Sequence, residues 1–279
     1  MVALIRFELR KLLVEKRSLI GLLNIVLINV LFALAFTLRN SHPNHPHELH
    51  SKVMVGELMN AYMYVQTILA PSVFMLFPMV LAVMGAYILA GELELGNLRM
   101  VLFRPVARWQ VLGAKFVALS CYSLVMLVSL AVISFGTSAL MFQTRGTVLV
   151  VGPMYLLGGG TWLLPAGEAL SRILLSYVLA LPMLMSVAAM SLMLALVTRH
   201  FTSAAILTST VYFASYIIGT IPILSAIHPY LPTRYWPFWK FALLPDIPWP
   251  QVGQYGLWTM GYTVVFLALG AALFNLRDV

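Results

Sequence analysis

The chain has 279 residues, of which 61% are hydrophobic and 9% are charged, and its formal net charge is +8 at pH 7. A chain this apolar, with repeated uncharged runs of more than eighteen residues, cannot fold as a water-soluble domain without exposing large hydrophobic surfaces. Hydrocarbon offers the backbone no hydrogen-bond partners, and the runs are too long and too uniformly apolar for barrel strands. The composition therefore predicts an all-α polytopic membrane protein.

The N-terminal seventeen residues are rich in charge and precede an uncharged run at 18–38. This order is not that of a secretory signal peptide, so we expect the first span to be retained. Apolar residues recur at helical spacing along this segment, with Arg6 and Arg10 beside them. We interpret residues 1–17 as a helix lying in the cytoplasmic interface, with Arg6, Arg10 and Lys11 as its basic residues. A plain cytoplasmic extension of the first span is the alternative.

The loop after the first span contains SHPNHPHELH at 41–50, with four histidines at His42, His45, His47 and His50. Imidazole is a common ligand of zinc and copper, so these histidines are candidate metal ligands. The prolines between them favour an extended loop, and no cysteine accompanies them. We therefore expect a polar linker without a metal and keep metal binding as the alternative.

Seven uncharged runs are long enough to cross the hydrocarbon. One of them, 146–167, contains six glycines and two prolines, a density of helix breakers that lipid-exposed backbone tolerates badly. We interpret this run as a re-entrant element or an outer loop. The remaining six spans form one membrane domain, 1–279, and are predicted at about 18–38, 60–90, 111–141, 170–197, 202–224 and 254–275.

Six spans put both ends of the chain on one side of the membrane, and the distribution of basic residues indicates which side. Eleven lysines and arginines share the face of the termini, and six lie on the other face. The positive-inside rule then places both termini in the cytoplasm, and we expect a bacterial inner or plasma membrane. The net positive charge needs no nucleic acid, because basic residues beside anionic lipid headgroups account for it.

The connection between spans two and three, GELELGNLRMVLFRPVARWQVLGAK at 91–115, concentrates charge in a chain that has little of it. Gly96 permits a sharp turn after span two, Asn97 is a suitable N-cap for a short helix, and Pro105 fits the first turn of the helix that becomes span three. The pattern predicts a short charged helix in a cytoplasmic loop at about 91–110. A solvated connector with inside-positive charge is the alternative.

Several residues of this connection occur in a recognisable order. They are the acidic pair Glu92 and Glu94, Gly-Asn-Leu at 96–98, Leu102, Pro-Val-Ala-Arg at 105–108 and Lys115. This order resembles the loop of ABC-2 type ABC-transporter permeases, whose pattern has acidic residues, Gly-Thr-Leu, a leucine, Pro-x-x-Arg and a lysine. Asn97 departs from the usual threonine, but both residues cap helices well. The basic N-terminal helix, the six spans and the outer segment before the last span are similar to the family architecture.

The resemblance implies a permease that transports cargo with the help of a separate ATPase subunit. In that family the loop carries a cytoplasmic coupling helix, which sits in a groove of the ATPase, and two permeases pair as identical or homologous copies. ATP and Mg would then bind to the partner, and this chain contains no G-x-x-x-x-G-K-[ST] phosphate loop. The residues that the resemblance assigns to ATPase coupling are Glu92, Glu94, Gly96, Asn97, Leu98, Arg99, Leu102, Arg104, Pro105 and Arg108.

Glu92 and Glu94 directly follow an uncharged run of 34 residues, which ends at position 91. The N-terminal helix offers Arg6, Arg10 and Lys11 as partners for these acids. We predict an acid–base contact that joins the two elements. The alternative is that both acids are solvated residues at a helix end.

The segment before the last span, 228–251, combines tyrosines and tryptophans with several prolines. Such aromatic residues prefer the headgroup level, and the prolines exclude one continuous helix, so we predict broken or re-entrant helices at the outer interface. In ABC-2 permeases this segment caps the translocation route, and an aromatic anchor without a gating role is the alternative.

No span has an Asp, Glu, Lys or Arg in the middle of its run, which argues against ion-coupled transport. The function we expect is export of an amphipathic, lipid-like or peptide cargo. The alternatives are a non-transporting scaffold or sensor, or a transporter linked to metal handling through the histidine loop.

Overall fold

The computed structural model describes residues 2–15, 18–41, 61–96, 107–142, 147–151 and 161–276. Six helices in this part of the chain are long and apolar enough to cross a membrane, which confirms the predicted all-α polytopic fold with six spans. The spans are Ser18–Leu38, Ala61–Glu94, Arg108–Met141, Gly167–Thr198, Phe201–Thr220 and Trp249–Leu276.

The elements are numbered in chain order. They are α1 (Val2–Val14), α2 (Ser18–Ser41), α3 (Ala61–Glu94), α4 (Arg108–Met141), β1 (Thr147–Val151), β2 (Thr161–Pro165), α5 (Ala166–Thr198), α6 (Phe201–Thr220), α7 (Pro232–Tyr235) and α8 (Trp249–Leu276). The fifth span ends four residues earlier than predicted, because Pro222 disfavours helical backbone at the residue before it. The last span begins five residues earlier, at Trp249, since Pro250 lies in its first turn, where the missing N–H costs nothing.

The core of the bundle lies between α3 and α5, and the other spans surround these two helices. About 67% of the membrane-spanning windows of α3 and of α5 is buried, against 17% for α2 and α6 and 22% for α8. α5 contacts α3, α4, α6 and α8. The apolar outer surfaces of α2, α6 and α8 are therefore the ones available to lipid or to another subunit.

α3 is a continuous helix with two π-helical stretches, Ser72–Leu76 and Tyr87–Gly91. The first stretch lies between Pro71 and Pro78, and Pro78 has no N–H to donate to the carbonyl of Phe74 one turn earlier. The hydroxyl of Tyr212 in α6 donates to this carbonyl instead, at 2.6 Å. The proline is thus tolerated because a neighbouring span supplies the donor.

Residues 147–151 and 161–165 form an antiparallel hairpin in which Thr147 pairs with Pro165 and Val151 pairs with Thr161. The sequence interpretation of 146–167 as a re-entrant element or an outer loop missed these strands. The two stretches, TVLVV and TWLLP, are rich in β-branched and aromatic residues, which favour strands, but the glycines between them favour a loop. β2 runs directly into α5, so the hairpin precedes the fourth span.

The chain between α6 and α8, which we call the broken segment (221–248), consists of short helical pieces, as predicted. They are the 3₁₀ turns Pro222–Leu224, His228–Tyr230 and Trp236–Leu243, together with α7. Side chains attach the segment to the spans at both ends. The guanidinium of Arg172 in α5 donates to the carbonyls of Leu244 at 2.6 Å and Pro245 at 2.9 Å.

The aromatic residues of the broken segment divide into two groups. Trp236 and Trp239 are 1% exposed, and Trp236 stacks on Tyr212 of α6 with ring centroids 5.5 Å apart. These two tryptophans therefore pack inside the protein. Tyr230 and Trp249, at 77% and 58% exposed, remain available to an interface.

The tight packing of α3 against α5 at Gly85 leads to a prediction about stability. A methyl group on Gly85 of α3 would lie 1.9 Å from the hydroxyl oxygen of Ser191 in α5. We expect Gly85→Ala to destabilise the protein by about 1–3 kcal/mol through overpacking, measured as the free energy of unfolding in mixed micelles. The second substitution Ser191→Gly should recover most of the loss.

Gly136→Ala is the matched control, because nothing lies within 4 Å of a methyl group at this position in α4. An equal loss of stability in the Gly85 and Gly136 variants would contradict the proposed contact.

Lys240 in the broken segment leads to a prediction about how the stability of the protein depends on pH. Its ammonium lies 5.0 Å from the ring centroid of Phe74, and burial lowers its pKa to about 8. The unfolded chain holds this proton up to about pH 10.4, so the folded state binds fewer protons between these two values and stability rises with pH there. We expect Lys240→Met to be more stable than the natural chain at pH 7, with the difference shrinking by pH 9.5. Unfolding free energies at both pH values measure this, and a constant difference would contradict it.

Candidate functional site

At one end of the bundle, α1 packs against the start of α4 and the end of α3. Two lysines and two glutamates meet there, and we call them the lysine–glutamate cluster: Glu8, Lys11, Glu92 and Lys115. Their formal charges cancel. Along the chain, Glu92 precedes and Lys115 follows residues 97–106, which lie outside the described residues.

Lys115 is the centre of the cluster, and its side chain is 0% exposed. Its ammonium donates to Glu8 Oε1 at 3.0 Å, to Glu92 Oε2 at 2.6 Å and to the carbonyl of Ile88 at 3.0 Å. All three donor positions of the ammonium are therefore occupied. A buried charge is tolerated only when it is paired and fully hydrogen-bonded, and this geometry meets both conditions.

Glu92 joins the two lysines. Its Oε1 accepts a hydrogen bond from Lys11 of α1, and its Oε2 accepts from Lys115 of α4. The predicted acid–base contact between the N-terminal helix and the end of span two is thus present, between Lys11 and Glu92. Burial lowers the pKa of Lys11, but the hydrogen bond and negative charge of Glu92, together with the charge of Glu8, outweigh it and leave the pKa raised.

Glu94 has a different partner from the predicted one. Its Oε2 accepts a hydrogen bond from the backbone N–H of Phe201 at 3.0 Å, and its Oε1 lies 3.8 Å from Nδ1 of His200. It therefore caps the start of α6, where negative charge is favourable. The expectation that Glu94 contacts α1 is wrong, because residues two apart on a helix face different sides.

The turn after Glu94 has the geometry expected for Gly96. Its φ is +70°, in the left-handed region that glycine adopts without strain, and its N–H donates to the carbonyl of Leu93 at 3.2 Å. α3 therefore ends at a sharp turn just before the described residues stop.

Arg108, at the start of α4, makes an intramolecular contact. Its guanidinium donates to the carbonyl of Phe274 at 2.8 Å, near the C-terminus of α8, where a cation is favourable. It also lies 6.0 Å from the ring centroid of Phe274. The guanidinium is therefore engaged with the last span.

Other predicted residues are only partly covered by the structure. Arg6 and Arg10 are exposed on α1, on the side away from the buried Glu8 and Leu12. Asn97, Leu98, Arg99, Leu102, Arg104 and Pro105 lie outside the described residues, as do His42, His45, His47 and His50. In the described part of the chain, no group of three or more histidines, cysteines or acids is placed to hold a metal.

Sequence reasoning missed the roles of Glu8 and Lys115. Lys115 was noted only as the lysine of the resembling pattern, although it interrupts an apolar stretch seven residues inside α4. Glu8 lies four residues after Leu4 and four before Leu12, so it falls on the apolar stripe of α1. In the sequence, an acid on the apolar face of one helix and a lysine in the apolar stretch of another indicate that the two pair, because each buried charge needs a partner.

Residues 2–236 match the model of a family described as ABC-2 family transporter protein. The matched region includes the whole lysine–glutamate cluster and the connection next to it. No curated protein matches the chain.

The geometry of the cluster predicts unequal effects of its two lysines. Lys115→Met leaves Glu8 and Glu92 buried without their shared partner, so we expect a loss of about 3–5 kcal/mol in the free energy of unfolding. Lys11→Met should cost about 1 kcal/mol or less, because the Lys11 side chain is 35% exposed and water screens its charge.

The triple variant Glu8→Met, Glu92→Met, Lys115→Met tests the reason for the difference. It removes all the buried charges together, so it should recover most of the stability that Lys115→Met loses. Equal losses for the two lysine variants, or no recovery in the triple variant, would show that burial of unpaired carboxylates is not the cause.

Proposed function

The chain belongs to the ABC-2 family of transporter proteins, as its loop residues predicted, and we propose that it is the membrane subunit of an exporter driven by a separate ATPase. The family makes it a transport subunit of an ABC transporter in a lipid bilayer. In our proposal ATP and Mg bind to the ATPase, both termini are cytoplasmic, and the membrane is a bacterial inner or plasma membrane. The connection 91–110 is the element that contacts the ATPase.

The observation that supports this proposal is that side chains at both ends of the connection bind neighbouring helices. Glu92, at its start, and Lys115, just after its end, bind each other and hold α1 through Glu8 and Lys11. Glu94 holds the start of α6. The connection is thus attached to elements on several sides of the bundle.

These attachments give a route for force. A displacement of the connection is transmitted to α1 through Glu92, to α6 through Glu94 and to α8 through Arg108. α6 and α8 are among the peripheral spans, of whose membrane-spanning windows only 17% and 22% are buried. Peripheral helices can move as rigid elements at lower cost than the central pair, because fewer packed contacts must be rearranged.

The lysine–glutamate cluster moves as a unit in this mechanism. Separating Lys115 from either carboxylate would leave buried charges unpaired, which costs several kcal/mol. The ends of α3 and α4 and the face of α1 therefore stay together while the outer helices shift. A cluster that moves without deforming passes a displacement of the connection on to α1, α3 and α4.

The peripheral spans also support the pairing of permeases and the class of cargo in this proposal. α2, α6 and α8 present wide apolar faces that a second copy or a homologue can cover. The cargo we propose is amphipathic, lipid-like or a peptide. Lys115 is a cation inside a span, and its charge is neutralised by its carboxylate partners, as suits a route without a charged relay.

Glu94 provides the test of this function. The chain is co-expressed with the ATPase encoded beside it, and the purified complex is reconstituted in liposomes. We expect the ATPase to co-purify with the natural chain and with Glu94→Lys. In this variant, ATP hydrolysis coupled to the permease should fall about fivefold, as the loss of about 1 kcal/mol from a half-exposed charged contact implies.

Glu168→Lys is the matched control, because Glu168 is a similarly exposed glutamate at the opposite end of the bundle, in the first turn of α5. It should leave coupled hydrolysis unchanged. Unaltered hydrolysis and assembly in Glu94→Lys would show that the contact with α6 does not transmit force. Isolation of the chain as a lone protein without nucleotide-linked activity would instead indicate a non-transporting scaffold or sensor.

A further inference from the structure

A second feature lies at the end of the bundle opposite the lysine–glutamate cluster. It is a cavity of about 580 Å³ between α3, α6, the broken segment and the start of α8, and we call it the far cavity. Its volume is in the range of sites for small amphiphilic ligands. The proposed topology puts the far cavity on the outer side of the membrane, away from the ATPase.

The polar part of the far cavity is basic. Arg234 lines it, and this exposed arginine makes no hydrogen bond or ion pair with any residue in the described part of the chain. No acidic side chain is found among the described residues that line the cavity. A guanidinium presents a planar set of donors that matches a carboxylate or a phosphate, so the unpaired Arg234 is a ready partner for an anion.

Two other polar side chains of the cavity, those of His228 and Thr233, are hydrogen-bonded within the protein. Nε2 of His228 lies 3.1 Å from the carbonyls of both Ile218 and Ile221, so this nitrogen carries the proton and holds the end of α6. The hydroxyl of Thr233 donates to the carbonyl of Ser215 at 3.0 Å. Arg234 is therefore the residue that has charge and donors left for a ligand.

The remaining wall of the far cavity is aromatic. Phe74 and Tyr216 pack edge to face with ring centroids 4.8 Å apart, and Tyr255 of α8 also lines the cavity. The ammonium of Lys240 lies 5.0 Å from the ring centroid of Phe74 and adds positive potential to this side. Aromatic rings beside a guanidinium form a site with one apolar part and one anion-binding part.

We propose that the far cavity binds a single-chain anionic amphiphile, with its acidic head group on Arg234 and its apolar chain against Phe74, Tyr216 and Tyr255. A neutral or zwitterionic head group would not compensate the guanidinium equally well. A small anion without a chain would leave the aromatic wall uncovered. The inference rests on the far cavity alone and does not depend on the proposed export function.

The test uses the purified full-length chain in a neutral detergent and measures bound lipid by native mass spectrometry. Lysophosphatidylglycerol and lysophosphatidylcholine with the same acyl chain are the probes, and glycerol 3-phosphate is the head group without a chain. We expect lysophosphatidylglycerol to bind about tenfold more tightly than lysophosphatidylcholine, because both carry the same phosphate but the choline cation of lysophosphatidylcholine is repelled by the positive charge of the site. Glycerol 3-phosphate should bind at least tenfold more weakly than lysophosphatidylglycerol.

The variants assign the preference to the cavity. Arg234→Gln should abolish the preference for lysophosphatidylglycerol, and Arg234→Lys should retain part of it. Tyr216→Leu should weaken both lysolipids, whereas Tyr230→Leu, an exposed tyrosine of the same segment outside the cavity lining, should change neither. Because the side chain of Arg234 makes no hydrogen bond or ion pair with the described residues, its variants should elute as the natural chain does.

Two results would overturn the proposal. A preference that survives in Arg234→Gln would place anion binding elsewhere on the protein. Equal affinity for glycerol 3-phosphate and lysophosphatidylglycerol would show a site for small anions rather than for amphiphiles. Neither result bears on ATPase coupling, which Glu94 tests at the other end of the bundle.

Discussion

The ammonium of Lys115 is the constraint on which the arrangement of this protein depends. A fully buried cation requires anionic partners, and α4 itself provides none at this depth. The partners come from α1, through Glu8, and from the end of α3, through Glu92. The N-terminal helix is therefore an integral part of the packed structure. Its position follows from charge compensation as much as from its apolar stripe.

A second constraint is that backbone N–H and C=O groups need hydrogen-bond partners where helices break. Within a membrane each interrupted helix leaves polar groups that water does not reach, so side chains must satisfy them. Tyr212 serves the carbonyl opposite Pro78, Arg172 serves the end of the broken segment, and His228 serves the end of α6. Each donor comes from a neighbouring element. The breaks and the contacts between helices are thus made by the same residues.

The sequence predicted two kinds of feature. Some depend on composition over long runs, and others depend on one residue that has a single structural role. Run lengths set the six spans, and Gly96 set the turn after α3. The contact of Glu92 with α1 was predictable because charges are scarce and an acid at a helix end seeks a base. These signals are local, or they are so strong that the rest of the fold does not change them.

Other features depend on geometry that spacing does not reveal. Glu94 was assigned to α1 with Glu92, but the rotation of α3 turns it towards α6. Trp236 and Trp239 have the composition of interface residues, yet the folding of the broken segment onto α6 buries them. Glu8 and Lys115 are far apart in sequence, and each has the pattern of an isolated charge. Only the packing of α1 on α4 brings them together.

The contacts between α3 and α6 connect the two ends of the bundle. At one end Glu94 of α3 binds the first N–H of α6, and at the other end Tyr212 and Tyr216 of α6 bind and pack against Phe74 of α3. Phe74 and Tyr216 also line the far cavity. A shift of α6 against α3 at the Glu94 end therefore changes the shape of that cavity. Linkage is reciprocal, so a ligand that favours one shape of the cavity also favours one position of α6 against α3.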